Sequence, residues 1–179
     1  MKEIETLGTR VVYENRWMKV REDIIRRRSG SEGVYGVVEK PHFAVVIPFD
    51  GEYLYLVDQY RYPIGERCLE FPQGSWEDAP DADPKELAAG ELREETGLVA
   101  KKISYVGFQY SATGYSTQGY NIYFAEDLVP GASELEAEEE GLVTVKYSLD
   151  EFKVLLKAGS IKDATTSNAY FFSVLNGFI

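Results

Sequence analysis

The chain has 179 residues, 44% of them hydrophobic and 27% charged, which suits one globular domain with a substantial core. Its formal net charge of −11 argues against nucleic acid or an anionic membrane as a partner, because such partners are bound through basic surfaces. The single cysteine, Cys68, excludes an intrachain disulfide, and we expect it to be a packing residue in a reducing compartment.

The first forty residues read as strands and turns. Arg26-Arg27-Arg28 runs into Ser29-Gly30, which predicts a strand entering a hairpin loop. The arginines allow a phosphate-binding patch, but we favour a solvated edge strand, where charge deters sheet-to-sheet pairing. The predicted strands are 9–14, 18–28 and 33–39. We therefore treat residues 1–40 as an antiparallel strand extension of a domain at residues 41–179.

Strands and helices are mixed in the remainder of the chain. An apolar run at 43–49 predicts a buried strand, and Asp50-Gly51 predicts a turn into its returning neighbour. The other predicted strands are 53–59, 68–71, 101–109, 120–125 and 142–147, the helices 149–158 and 165–175, and the acidic loops 77–83 and 126–141. Strands on both sides of helices predict an α/β fold, an α/β/α sandwich with a mixed sheet.

A further helix is predicted between Asp83 and Gly97. Asp83 suits the N-cap, Pro84 the first helical position, and Glu86 completes an Asp-x-x-Glu capping box. Gly97 suits the left-handed residue that closes a helix.

Three carboxylates, those of Glu91, Glu94 and Glu95, share one face of this helix because they are three and four residues apart. Like charges at this spacing destabilise a helix, and a solvated acidic surface is the plain interpretation. A hard divalent cation would remove the repulsion, since Mg²⁺ prefers oxygen ligands and shares carboxylates with substrate phosphates. An acidic chain that binds an anionic diphosphate also needs cations between the two.

The same helix resembles the signature box of the Nudix hydrolases, which ends in Arg-Glu-aliphatic-x-Glu-Glu-x-Gly-aliphatic. Residues at matching positions are Glu91, Leu92, Glu94, Glu95, Gly97 and Leu98. Gly90 stands where the box has arginine, Ala82 where it has its first glutamate, and the loop after Gly74 is two residues longer. Arg67 is a candidate to pair with the box carboxylates in place of that arginine.

Further stretches resemble one branch of this family, the pyrophosphatases for ADP-ribose and nucleoside diphosphate sugars. They are Gln59-Tyr60-Arg61-Tyr62-Pro63, Leu69-Glu70-Phe71-Pro72-Gln73-Gly74, Gly114-Tyr115-Ser116 and Ile161-Lys162-Asp163-Ala164-Thr165-Thr166. The resemblance implies the Nudix fold and Mg²⁺-dependent hydrolysis, with Mn²⁺ as an alternative ion. The substrate would be a small nucleoside diphosphate sugar, ADP-ribose-like or GDP-mannose-like, cut to nucleoside monophosphate and sugar phosphate.

Roles for individual residues follow from the same resemblance. Metal ligands would be Glu91, Glu94, Glu95 and Gln73, and substrate-binding residues Arg61, Glu70, Trp17 and Tyr115. For Arg61 and Glu70, an ion pair between them is the structural alternative. The general base is expected within Glu138-Glu139-Glu140, with Glu140 preferred, Glu139 next and Glu94 also counted as catalytic. Gln118 stands where the branch has glutamate, which leaves the distal sugar open.

The resemblance also implies a homodimer in which the N-terminal strands reach the partner. Two alternatives remain open, a nucleotide-metabolite sensor without catalysis and a hydrolase for dinucleoside polyphosphates or other nucleotides. The charged N-terminus carries no apolar segment, and no run approaches the roughly 18 residues of a membrane span. We therefore expect a cytoplasmic protein with neither a signal peptide nor a membrane partner.

Overall fold

The structure is a computed structural model that describes residues 3–76, 79, 81–135 and 137–179. Parts of the predicted acidic loops, residues 77, 78, 80 and 136, lie outside this description, as does the side chain of Glu138. The strands are β1 (Ile4–Glu14), β2 (Lys19–Arg27), β3 (Glu32–Glu39), β4 (Phe43–Pro48), β5 (Tyr53–Arg61), β6 (Glu66–Glu70), β7 (Gln73–Gly74), β8 (Leu98–Tyr110), β9 (Gly119–Pro130) and β10 (Val143–Ser148). The helices are α1 (Pro84–Thr96), α2 (Leu149–Lys157) and α3 (Ala164–Leu175), with a short 3-10 helix at Ala137–Glu139.

A mixed sheet of order β7-β4-β9-β8 forms the centre of the fold, with β4 and β9 parallel. Alternate residues of β4 serve two cores because successive side chains point to opposite faces. Ala44 and Val46 pack with α1, whereas Val45 and Ile47 pack with β5, α2 and α3. The predicted α/β arrangement, a mixed sheet covered on both faces, is confirmed.

The described strands outside this sheet form two antiparallel sheets, β10-β5-β6 and β1-β2-β3. Our prediction of an edge strand for the arginine run is wrong, because β2 lies between β1 and β3. Arg26 instead bridges carboxylates on both neighbours, with Nη atoms 3.4 Å from Glu5 and 3.0 Å from Glu32. Cross-strand ion pairs of this kind let a charged segment occupy the centre of a sheet.

Helix α1 has the predicted bounds. The Asp83 side chain accepts a hydrogen bond from the Lys85 backbone N at 2.8 Å, and Gly97 closes the helix at φ 69°. The predicted bond of a capping box from Glu86 N to Asp83 is replaced by this bond from Lys85 N. Helix α2 does have a full capping box, in which Ser148 and Glu151 each bond the other's backbone N–H.

Strands β8 and β9 extend further than the sequence predicts. The predicted loop began at Glu126, but Glu126 pairs with Lys102 across the two strands, and the two side chains form an ion pair at 2.6 Å. The sequence did not predict the extended ends of β8 and β9 because they include exposed polar residues, and strand prediction depends on apolar alternation. None of the helices in the described ranges is long and apolar enough to cross a bilayer.

Candidate active site

Helix α1, strands β5 and β7 and the turn between β1 and β2 meet around a cavity of about 210 Å³, which we call the acid cavity. Seven of the residues that line it were predicted as site residues: Trp17, Arg61, Gln73, Glu91, Glu94, Glu95 and Glu139. Gln59, Gly74, Ser75 and Trp76 also line it. Residues that are distant in sequence are therefore brought to one place by the fold.

Two of the three helix carboxylates are buried, which excludes the interpretation of α1 as a purely solvated acidic surface. Glu91 is 6% exposed and Glu95 is 3% exposed, whereas Glu94 is partly exposed. The Glu95 carboxylate accepts a hydrogen bond from the Gln73 backbone N at 3.0 Å. Burial raises the pKa of Glu95 well above its ordinary value, and the charges of Glu91 and Glu139 raise it further.

Strand β7 approaches α1 so closely that the Glu91 carboxylate lies in the space that a side chain at residue 74 would take. A Cβ at this position would lie 2.7 Å from both Cδ and Oε1 of Glu91, inside any normal contact distance. The missing side chain therefore makes the room in which the Glu91 carboxylate lies.

Arg61 and the buried Glu70 form an ion pair beside the carboxylates, with the Arg61 side chain partly exposed. Arg61 Nε donates to Glu70 Oε1 at 2.8 Å, and Gln73 Nε2 donates to Glu70 Oε2 at the same distance. The bond to Glu70 raises the pKa of Arg61, and so do the charges of Glu95 and Asp163. The ion pair that the sequence analysis gave as the alternative to substrate binding is thus formed. Arg61 nevertheless lines the acid cavity.

A second cavity of about 470 Å³, the side chamber, shares a wall with the first. Arg61, Gln73, Gly74 and Ser75 line both cavities. Glu70, Lys40, Gln118, Lys162 and Asp163 are among the other residues of the side chamber. Gln73 is the central contact of the shared wall, since its Nε2 also lies 3.2 Å from Asp163 Oδ2, the N-cap of α3.

Two family models match the chain along most of its length. The first describes the N-terminal domain of nucleoside diphosphate sugar hydrolases and matches residues 4–38. The second describes the NUDIX domain and matches residues 39–169. The chain belongs to the Nudix hydrolase family.

Individual relatives agree with this assignment. An ADP-ribose pyrophosphatase of Bacillus subtilis (strain 168) is 25% identical over 173 residues, which cover 94% of this chain and 92% of the relative. An ADP-ribose pyrophosphatase of Mycobacterium tuberculosis is 31% identical over 153 residues, 83% of this chain and 72% of the relative. A crystal structure described as an ADP compounds hydrolase matches with a TM-score of 0.86 and 25% identity, over 99% of this chain and 96% of that one. The predicted Nudix fold and hydrolase class are confirmed.

Some of the residues predicted for this Nudix site lie elsewhere. Glu140 is exposed and, among the described residues, is not part of the wall of either cavity. The same holds for Tyr115, whose backbone oxygen accepts a hydrogen bond from Val38 N. The expected pairing of Arg67 with the box carboxylates is wrong: its guanidinium bonds the Asp58 carboxylate at 3.0 Å and the Gly141 carbonyl at 3.1 Å.

Sequence reasoning missed two contributors to the cavities. The family resemblance includes Asp163 without giving it a role. Its position directly before the last helix predicts the N-cap that the structure has there. Trp76 directly precedes the acidic loop 77–83, in a stretch without periodicity, so the sequence offered no signal for its contacts.

The donor set of the Nudix site suits a hard divalent cation. Glu91 and Glu95 offer oxygen ligands side by side, and burial together with the charges of Glu91 and Glu139 raises the pKa of Glu95, an effect that a bound cation would oppose. Within the described part of the chain, no three Asp, Glu, His or Cys side chains already converge as a metal cluster. The fit to the ion rests on the chemistry of the donors, which are oxygen ligands of adjacent buried carboxylates.

We predict that Glu95→Gln stabilises the metal-free protein at neutral pH. The pKa of Glu95 is raised in the folded state, so the carboxylate ionises first in the unfolded chain and stability falls as pH rises above the ordinary value of 4.5. Melting temperatures in EDTA between pH 4 and 8 should show no gain at pH 4 and a gain that grows toward neutral pH.

The exposed Glu86 of the same helix provides the control, and Glu86→Gln should show no such growing gain. A Glu95→Gln protein less stable than the parent at every pH would contradict the assigned burial of charge.

Proposed function

We propose that this chain hydrolyses the diphosphate bridge of a nucleoside diphosphate sugar, ADP-ribose-like or GDP-mannose-like. The products are a nucleoside monophosphate and a sugar phosphate, and the cofactor is Mg²⁺, with Mn²⁺ as an alternative. The observation that carries the proposal is the acid cavity, in which the three carboxylates of α1 lie with Arg61. The names of its relatives, ADP-ribose pyrophosphatases and an ADP compounds hydrolase, support the choice of substrate class.

Glu91, Glu94 and Glu95 would hold the ion, together with the main-chain carbonyl of Gln73. When bound, a divalent ion supplies charge neutralisation for the diphosphate oxygens and lowers the pKa of a coordinated water. Glu94 is the more exposed of the three carboxylates, so it also remains a candidate for proton transfer, as the sequence predicts.

Glu139 is the general base that the geometry supports. It lines the acid cavity, whereas Glu140 is exposed outside it. In the proposed step Glu139 takes a proton from water, and the water oxygen bonds to one phosphorus of the bridge. The bond from this phosphorus to the bridging oxygen breaks, and that oxygen leaves with the other phosphate.

Arg61 would hold the diphosphate, because its guanidinium faces both cavities and is fixed in place by Glu70. A clamped guanidinium loses little conformational freedom when it binds an anion. Glu70 would then act by orienting Arg61. Trp17, which lines the acid cavity from the N-terminal segment, offers an indole for stacking on the nucleobase.

A substrate panel tests the proposed function. ADP-ribose, GDP-mannose, UDP-glucose, NADH and dinucleoside polyphosphates would be incubated with Mg²⁺ or Mn²⁺, and products identified by chromatography. We expect nucleoside monophosphate and sugar phosphate from at least one nucleotide sugar. Glu91→Gln should reduce the rate about 100-fold or more, since a catalytic ion contributes several kcal/mol. Binding without turnover on all compounds would instead indicate a sensor.

The neighbouring glutamates provide a matched pair of variants. Glu139→Gln should lower kcat by about 10²–10⁴-fold, the usual contribution of a general base. Glu140→Gln should change kcat by less than about threefold, because this side chain is exposed outside the cavity. Steady-state rates with the best substrate of the panel decide between them. A large loss in Glu140→Gln alone would reverse the assignment.

We also propose that the chain forms a homodimer through its N-terminal sheet. This sheet exposes large apolar side chains, among them Val11, Tyr13, Ile24, Val34 and Tyr35. Ile24 and Val34 are direct cross-strand neighbours, so their exposed side chains lie next to each other on one face of the sheet. Covering this surface with a second copy would remove it from water.

Light scattering at micromolar concentration should give the mass of a dimer. Val34→Glu should shift it toward the monomer of 20.2 kDa, because a charge would be buried in the interface. Val154→Glu is the matched control: Val154 on α2 is 64% exposed and Val34 is 65% exposed. A monomeric parent, or equal effects of both substitutions, would contradict the proposed interface.

A further inference from the structure

Two glycines let the loop that begins at Gly74 and helix α1 interlock in both directions. At Gly74 the missing side chain makes room for the Glu91 carboxylate. At Gly90, one residue earlier on the helix, a Cβ would lie 3.1 Å from Cη2 of Trp76 and closer still to its Cζ2. The helix thus inserts a carboxylate into the loop, and the loop inserts an indole against the helix.

Trp76 is held in this position by its other contacts. It packs against the core cluster formed by α1 and the mixed sheet, which includes Leu87, Ala88 and Leu92. It also lines both the acid cavity and an adjoining cavity of about 110 Å³ that contains His42 and Ala82. The indole is therefore a wall between the carboxylates and the space beneath the loop.

We propose that Trp76 is a positioning residue for the carboxylates of α1, and that Gly90 is required because the indole occupies the space of its side chain. The inference rests on the proposed function only in the role it gives these carboxylates. Glu91 directly follows Gly90, so whatever sets the distance between the loop and Gly90 also places Glu91 in the cavity. The contact of Gly74 with Glu91 and the contact of Gly90 with Trp76 together set the distance between the loop and α1.

A methyl group at residue 90 can be accommodated by moving the indole or by separating the loop from the helix. If the indole moves, it enters the acid cavity of about 210 Å³ or the cavity of about 110 Å³, because it lines both, and the wall beside Glu91 is displaced. Alternatively the loop and helix move apart, which displaces Glu91 from the backbone of Gly74. A displacement of about 1 Å in a catalytic group can cost about 100-fold in rate.

The test is a double-mutant cycle of Gly90→Ala and Trp76→Ala, measured by melting temperature, by Mn²⁺ affinity from the electron paramagnetic resonance of free Mn²⁺, and by kcat and KM. Alone, Gly90→Ala should lower the melting temperature and weaken Mn²⁺ binding about tenfold. It should also lower kcat about 100-fold, with KM changed less than about threefold. In the Trp76→Ala background the same substitution should raise the melting temperature, because alanine favours helix more than glycine.

This reversal of sign separates steric interlock from a general structural role. In a Trp76→Phe background, the effect of Gly90→Ala on the melting temperature should lie between its effects in the parent and in Trp76→Ala, because the smaller ring leaves more room. Gly107→Ala is the control: its methyl would come no closer than 3.5 Å to its nearest neighbour, Phe172, which is ordinary contact, so Mn²⁺ affinity should stay unchanged.

Additive effects in the cycle, or a Gly90→Ala protein with parental Mn²⁺ affinity and kcat, would overturn the inference. If Gly90→Ala does not fold, recovery of folded protein in the double variant supports the interlock, and failure to recover it counts against it. Melting temperature and Mn²⁺ affinity need no substrate. A chain that turned over nothing in the panel would therefore overturn the proposed function without deciding the interlock.

Discussion

The repulsion between buried carboxylates on one turn of α1 is the constraint around which the site is built. Glu91 and Glu95 are removed from water in a chain that already carries a net charge of −11. Buried like charges cost free energy unless a cation or hydrogen bonds compensate them. The Gln73 backbone N–H compensates in part, and the nearby Arg61 adds an attractive charge. The arrangement makes physical sense if a further positive charge arrives with the ligand.

The surrounding fold holds this unfavourable helix face in place. Helix α1 is anchored by an apolar side that packs on the mixed sheet through Leu87, Ala88 and Leu92. The Glu70–Gln73 stretch opposite is fixed from α3, where buried Thr166 accepts a hydrogen bond from the Phe71 backbone N at 2.8 Å. Core packing therefore holds both walls of the acid cavity in addition to the contacts that the carboxylates make across it. This is why a pair of repelling charges can persist between them.

The sequence predicted local features well and long-range contacts poorly, for a physical reason. The bounds of α1 follow from its caps, Asp83 and Gly97, because capping depends on neighbouring residues only. The central position of β2 and the partners of Arg67 depend on strands far away in the chain, which no local pattern encodes. Glu139 and Glu140 could not be separated for the same reason. Their difference arises where the 3-10 helix at Ala137–Glu139 turns one residue toward the cavity.

The shared wall between the two cavities has a consequence for the orientation of the proposed substrate. Arg61, Gln73, Gly74 and Ser75 line both cavities, so a diphosphate held by Arg61 would span the wall with one half of the molecule on each side. The carboxylates of α1 lie only on the acid side, and the attacking water would therefore approach the phosphorus nearer to α1. The group in the side chamber would leave with the bridging oxygen. Selectivity for this group would then come from the side chamber, through Gln118 and Lys162, while the chemistry stayed with α1.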